Sequence, residues 1–136
     1  MMSEGNCLEV SHFNSMPNDT FVSLFNSQIE FQKLVLQKKP YNVQDEIKEL
    51  PCDSVQIASY HLQAMAEEFG ELVKSDKRWK NYRNTHYDIE NKLEELADCF
   101  ITLMNIAMYS NIDAGTLYCK IKEKILTNTE RLTGDN

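Results

Sequence analysis

Residues 96–108 read LADCFITLMNIAM, and the way that stretch winds decides the architecture. Wound as a helix it is apolar almost all the way round, so its own core and a further surface must cover it. At about 100° per residue, Glu95, Asp98, Thr102 and Asn105 nevertheless fall along one narrow side. A carboxylate on a buried helix is costly unless something compensates its charge. Something polar must therefore face Asp98.

Working outward, every strong period is helical. Upstream, Asp53 stands where it can cap a long helix whose apolar stripe is Val55, Ala58, Leu62, Met65, Phe69, Leu72 and Val73. KNYRNTHYD breaks that pattern, and Asp88 caps the helix containing the opening stretch, from Ile89 to about Ser110, ended by Asn111. Asp113 caps a last helix from Ala114 to about Arg131, with Leu117, Ile121, Ile125 and Leu132 inward. Nearer the start, TFVSLFNSQIEFQKLVLQKK places Phe21, Leu24, Phe25, Ile29, Leu34 and Leu36 at helical spacings, and Pro40 ends it. YNVQDEIKELPC is a connector closed by Pro51. Residues 1–19 are polar and without period, and read as a loose tail before one domain over 20–136. The expected fold is all-α, a four-helix domain.

Composition bounds the function. The 136 residues suffice for one core, and 3 Pro with 4 Gly suit long helices. No apolar run approaches the roughly 18 residues that span a bilayer. MMSEGNCLEVSHFNSMPNDT lacks the basic start and apolar centre of a secretory signal, so the cytoplasm is the expected compartment. A net charge of −7 disfavours nucleic acid as a partner, because phosphate backbones want a basic surface. Cys7, Cys52, Cys99 and Cys119 show neither CxxC spacing nor zinc-finger histidines. Cys99 and Cys119 read as small buried apolar groups.

AEEFGELVKSDKRW, residues 66–79, supplies what faces Asp98, and it supplies acids. Glu68 borders the apolar stripe and Glu71 lies one turn on. Two antiparallel helices can thus aim Glu68, Glu71, Glu95 and Asp98 at one point. Carboxylates so converged need protons or cations, and hard cations with oxygen ligands, magnesium or else manganese, suit them best. A di-iron centre would want ExxH on facing helices. The one ExxH here, Glu9 to His12, is in the tail. His61 reads as a packing histidine, and His86 falls in a loop.

ExxE at Glu68 and Glu71, followed 24 residues later by ExxD at Glu95 and Asp98, resembles the all-α nucleoside triphosphate pyrophosphohydrolases. These comprise the MazG-like proteins and the dimeric dUTPases. KILTNTER adds Lys124, Asn128 and Arg131, which match the family's K-x3-N-x2-R. On a helix they make one donor strip suited to phosphate oxygens. The resemblance covers about residues 20–133. It implies cleavage of a nucleoside triphosphate between the α- and β-phosphates, with Glu68, Glu71, Glu95 and Asp98 as magnesium ligands. Glu68 or Glu71 would activate water, Lys124 and Arg131 would hold phosphates, and Asn128 would hold the sugar or a phosphate.

Trp79, Lys80 and Tyr82 follow the acidic motif as a WK pair does in the dUTPase branch. Asn26 or Gln32 of the first helix would line the base site. The chain lacks the additional helices of a full dimeric dUTPase, which favours a MazG-like enzyme over a uracil-specific one. A dUTPase or dCTPase proper, and a non-catalytic nucleotide-binding helical protein, are the alternatives. The breadth of the apolar surface around residues 96–108 leads us to expect a homodimer or homotetramer.

Overall fold

The computed structural model describes residues 17–43, 46–80 and 86–134. Most of the expected tail, with Cys7, Glu9 and His12, lies outside the described residues, as does Tyr82. The four expected helices form: α1 (Pro17–Lys38), α2 (Val55–Ser75), α3 (Ile89–Met108) and α4 (Ala114–Leu132). The described residues hold no strand, only a bridge between Asp53 and Ser110. None of these helices is long and apolar enough to cross a membrane.

Local chemistry sets the boundaries. α1 stops two residues before Pro40, whose ring disfavours helical backbone at the residue preceding it. α2 is capped by Ser54, whose hydroxyl accepts from the Ile57 N–H at 3.3 Å. This corrects the expectation for Asp53. Residues 52–54 instead run against the end of α3: the Cys52 and Ser54 N–H groups donate to the Met108 and Tyr109 carbonyls at 2.8 and 2.9 Å. Asp88 caps α3 as expected, accepting from the N–H groups of Glu90 and Asn91. Asp113 caps α4 through the Thr116 N–H at 2.7 Å. Between these two helices Asn111 takes a φ of 58°, a left-handed conformation that asparagine tolerates better than most residues.

α2 and α3 form the most extensive helix pair, while α1 packs on both α3 and α4. The pair is antiparallel, with Ile57 near Met108 and Asp76 near Lys92. Phe25, Ile57, Met108 and Tyr109 are the largest fully buried side chains. They gather where α1 meets the start of α2 and the end of α3.

Two apolar faces expected inside are open. On α2, Val55, Leu62, Phe69 and Val73 are exposed, and the buried side chains are Ile57, His61 and Ser75. The face turned to α3 carries polar groups, so the more apolar stripe is a different face. On α4, Leu117 is half-buried against the core, but Ile125 is 60% and Leu132 89% exposed. Cys119 is likewise exposed, whereas Cys99 is buried as expected. Phe21 packs on Tyr118, which fixes the first half of α4 to α1.

Candidate metal centre

The α2–α3 seam has two polar ends. At the first, near the core, Gln32 of α1 is buried, and its Oε1 accepts from the hydroxyls of Tyr41 and Tyr109 at 2.9 and 2.8 Å. The Tyr41 oxygen also lies 2.9 Å from His61 Nε2. If that hydroxyl donates to Gln32, the imidazole donates to it through Nε2–H. His61 stacks on Tyr109 with ring centroids 5.6 Å apart and meets Tyr41 and Tyr60 edge-on. Burial holds the His61 imidazole below its ordinary pKa and raises the Tyr41 and Tyr109 hydroxyls above theirs. His61 is thus the packing histidine that its position suggested. Gln32, expected at the substrate, has its oxygen committed to two tyrosines.

Further along, Gln28 Nε2 of α1 donates to Asn105 Oδ1 at 2.9 Å. Asn105 belongs to the polar strip expected on α3, while Gln28 lies among other polar residues of α1 and is not among the expected site residues. A polar position spaced four before Gln32 on one helix face was the available signal. Thr102 turns its hydroxyl back onto the Asp98 carbonyl at 2.8 Å.

The second end is acidic. Glu68 of α2 and Glu95 and Asp98 of α3 each bring a carboxylate oxygen to within 4.8 Å of the other two. Glu68 and Glu95 are half-buried and Asp98 is exposed. Burial, then the charges of Asp98, Glu95, Glu67 and Glu71, push the Glu68 carboxyl above its ordinary pKa. Burial, Asp98, Glu71 and Glu94 do the same to Glu95. The Cys99 thiol behind them is raised by burial and by the same acids.

Glu71 stands outside the triangle, about half exposed, with Lys74 Nζ 3.7 Å away. It remains close enough to act on both glutamates. No ion pair joins the triangle to a lysine or arginine among the described residues. An all-oxygen donor set carrying three charges fits a hard divalent cation such as magnesium or manganese.

The expected donors lie elsewhere. Lys124, Asn128 and Arg131 are exposed on the second half of α4, and no hydrogen bond or ion pair joins them to the acids. Trp79 is 65% exposed just beyond α2, with Lys80 Nζ 5.2 Å from its ring. It borders an open cleft of about 300 Å³ shared with Phe69, Leu72, Val73, Asp76 and Lys92. Asn26 is exposed on α1, and His86 is exposed before α3.

Four helices that aim clustered carboxylates across an antiparallel pair have the build of an all-α nucleotide pyrophosphohydrolase. A family model described as dUTPase matches residues 20–132. The chain therefore belongs to the all-α family of dimeric dUTPases and MazG-like proteins. No curated protein and no solved structure gives a significant match. The family supports a function of the nucleotide pyrophosphohydrolase type, and the match gives the MazG-like branch no preference over dUTPase.

Proposed function

We propose that the protein is a magnesium-dependent nucleoside triphosphate pyrophosphohydrolase, yielding a nucleoside monophosphate and pyrophosphate in upkeep of the nucleotide pool. The observation that carries this reading is the convergence of Glu68, Glu95 and Asp98, which no lysine or arginine among the described residues pairs with. In this family such a cluster has a use, because a triphosphate and a carboxylate site repel each other unless a divalent cation lies between them. When bound, the cation supplies neutralisation of phosphate charge and acidification of a water.

The chain's own residues do the rest. Glu95 and Asp98, three apart on α3, present oxygens from one helix, and Glu68 closes the triangle from α2. Glu71 turns from Lys74 towards the site as a fourth ligand. Its salt bridge is exposed, and such pairs contribute only about 0–1 kcal/mol. Glu68, reaching the site from α2, accepts a proton from the attacking water. Glu71 is the other candidate for that role.

Lys124, Asn128 and Arg131 reach the phosphates in this reading only from an assembled oligomer. The exposed apolar residues Leu62, Phe69 and Val73 on α2, Phe100 and Leu103 on α3, and Ile125 and Leu126 on α4 support a homodimer or homotetramer. Trp79 and Lys80 flank the nucleotide from beyond α2. The family description makes dUTP the first substrate to test.

The deciding experiment is a panel of dUTP, dCTP, the other common nucleoside triphosphates and modified ones, with magnesium, scored for both products. Release of pyrophosphate with the matching monophosphate is expected. Release of orthophosphate, or no turnover of any nucleotide, would overturn the proposal. Sedimentation at micromolar concentration should show a dimer or larger.

A further inference from the structure

Along the seam the side chains of α3 change character in order. Asn105, Thr102, Asp98, Glu95 and Lys92 follow at steps of three or four residues, so they share one side of the helix. Lys92 and Asn105 lie 13 residues apart, about 20 Å along the helix. The acids occupy the middle. At one end Thr102 and Asn105 are neutral, and their oxygens are engaged with the Asp98 carbonyl and with Gln28. At the other end stands a lysine.

Lys92 is held where it can be released. Its Nζ lies 3.1 Å from Asp76 Oδ2, at the end of α2. Asp76 already receives Arg78 in bidentate fashion, at 2.6 Å from Nη2 and 2.8 Å from Nε, and the Arg78 backbone N–H at 3.2 Å. The Arg78 guanidinium is itself seated 3.5 Å over the Tyr87 ring. Asp76 therefore keeps its stronger partner when Lys92 departs. The Lys92 side chain is 37% exposed, and its flexible four-carbon stem starts one turn from Glu95. Lys74 of α2 is paired with Glu71 at 3.7 Å and is largely exposed.

We infer that Lys92 leaves Asp76 to bind the terminal phosphates of the nucleotide, the part released as pyrophosphate. The inference rests on the nucleotide-hydrolysing reading and adds a direction to it. A triphosphate held through a divalent cation by Glu68, Glu95 and Asp98 would run its outer phosphates towards the ammonium and its nucleoside towards the neutral end. The phosphate contact of this end of the site then comes from the same chain as the acids. Lys92 is a substrate-binding residue here, and Asp76 with Arg78 is its parking place.

The test uses Lys92→Met, Lys92→Arg and Asp76→Asn in the full chain, with magnesium pyrophosphate as the probe inhibitor. For Lys92→Met, the pyrophosphate inhibition constant and the KM of the triphosphate should each rise about tenfold or more. Inhibition by the nucleoside monophosphate should stay put. Lys92→Arg should recover most of the loss. Asp76→Asn should lower stability while pyrophosphate binds as well as before or better, because the competing carboxylate charge is gone.

A purely structural lysine behaves differently: Lys92→Met and Asp76→Asn would then lose stability alike, with the pyrophosphate constant unmoved, and the inference would fall. Weaker pyrophosphate binding in Asp76→Asn would also overturn it, even if Lys92→Met did not fold. If the wild type turns over no nucleotide, the functional reading itself fails. Turnover with unmoved Lys92→Met constants removes the Lys92 assignment alone.

Discussion

The two ends of the α2–α3 seam treat polar side chains in opposite ways. At the core end, Gln32, Tyr41, His61 and Tyr109 are drawn together until their hydrogen-bonding groups meet one another. At the acidic end, Glu68, Glu95 and Asp98 are drawn together, like charge against like charge, with no ion pair to a lysine or arginine among the described residues. The first arrangement is complete in the chain alone and fastens three segments: α1, the connector and the seam. The second stores repulsion that a cation would relieve. Buried polar groups that satisfy each other belong to the fold, and polar groups that oppose each other point to a ligand.

Replacing single side chains at each end sharpens that contrast. Asp98→Asn or Glu68→Gln should reduce kcat/KM at least about a hundredfold, since even the outer shell of a metal site is worth 10–100-fold. Helicity by circular dichroism should be unchanged, and the metal-free stability should hold or rise. Retained turnover in either variant would break the contrast at its acidic end. Gln32→Leu should do the reverse. It leaves the Tyr41 and Tyr109 hydroxyls short of an acceptor and should cost about 2–4 kcal/mol in urea unfolding. The KM of the folded protein should not move, and a large rise in KM would return Gln32 to the substrate.

Acid should also act in opposite directions at the two ends. The folded His61 imidazole resists protonation below its ordinary pKa of 6.5. The unfolded chain then binds more protons, and stability falls as pH drops below about 6.5. Glu68 and Glu95 are raised above their ordinary 4.5, so the metal-free folded chain takes up protons first and regains stability as pH falls through the raised values towards 4.5. In chelator, His61→Phe should flatten the loss and Glu68→Gln should remove the gain. Identical pH profiles for all three proteins would contradict both assignments.

The smallest effect belongs to α4. Arg131 is exposed without a partner among the described residues, so Arg131→Ala should change stability by less than about 0.5 kcal/mol. It should weaken substrate use if a second copy brings α4 to the site, through charge-assisted bonds worth about 1.5–3 kcal/mol each. Lost stability with unchanged kinetics would make Arg131 structural.

The sequence made the helices legible because caps and periods are local. Asp88 and Asp113 stand one residue before α3 and α4, and no competing strand pattern confuses them. Ser54 displaced Asp53 through pairing with residues 108–111, a contact between segments far apart in the chain that no local signal encodes. The acids were legible for a different reason: ExxE and ExxD stand on successive helices at a spacing that resembles the family's.

The inner face of α2 was harder to read. Periodicity finds the most apolar stripe, here Leu62, Phe69 and Val73. The face packed on α3 carries His61 and Glu68, and their polarity weakens its hydrophobic signal. Gln28 and Lys92 could be placed only once α1, α2 and α3 were set beside one another.

The central claim is that Glu68, Glu95 and Asp98 hold a divalent cation, and Mn2+ titration followed by electron paramagnetic resonance tests it most directly. Free Mn2+ gives a strong signal that fades on binding, so wild type and Asp98→Asn can be compared at equal protein concentration and without nucleotide. The wild type should bind saturably with magnesium in competition, and Asp98→Asn should bind at least about tenfold more weakly. Absence of binding in the wild type, or superimposable isotherms for the two proteins, would contradict the claim.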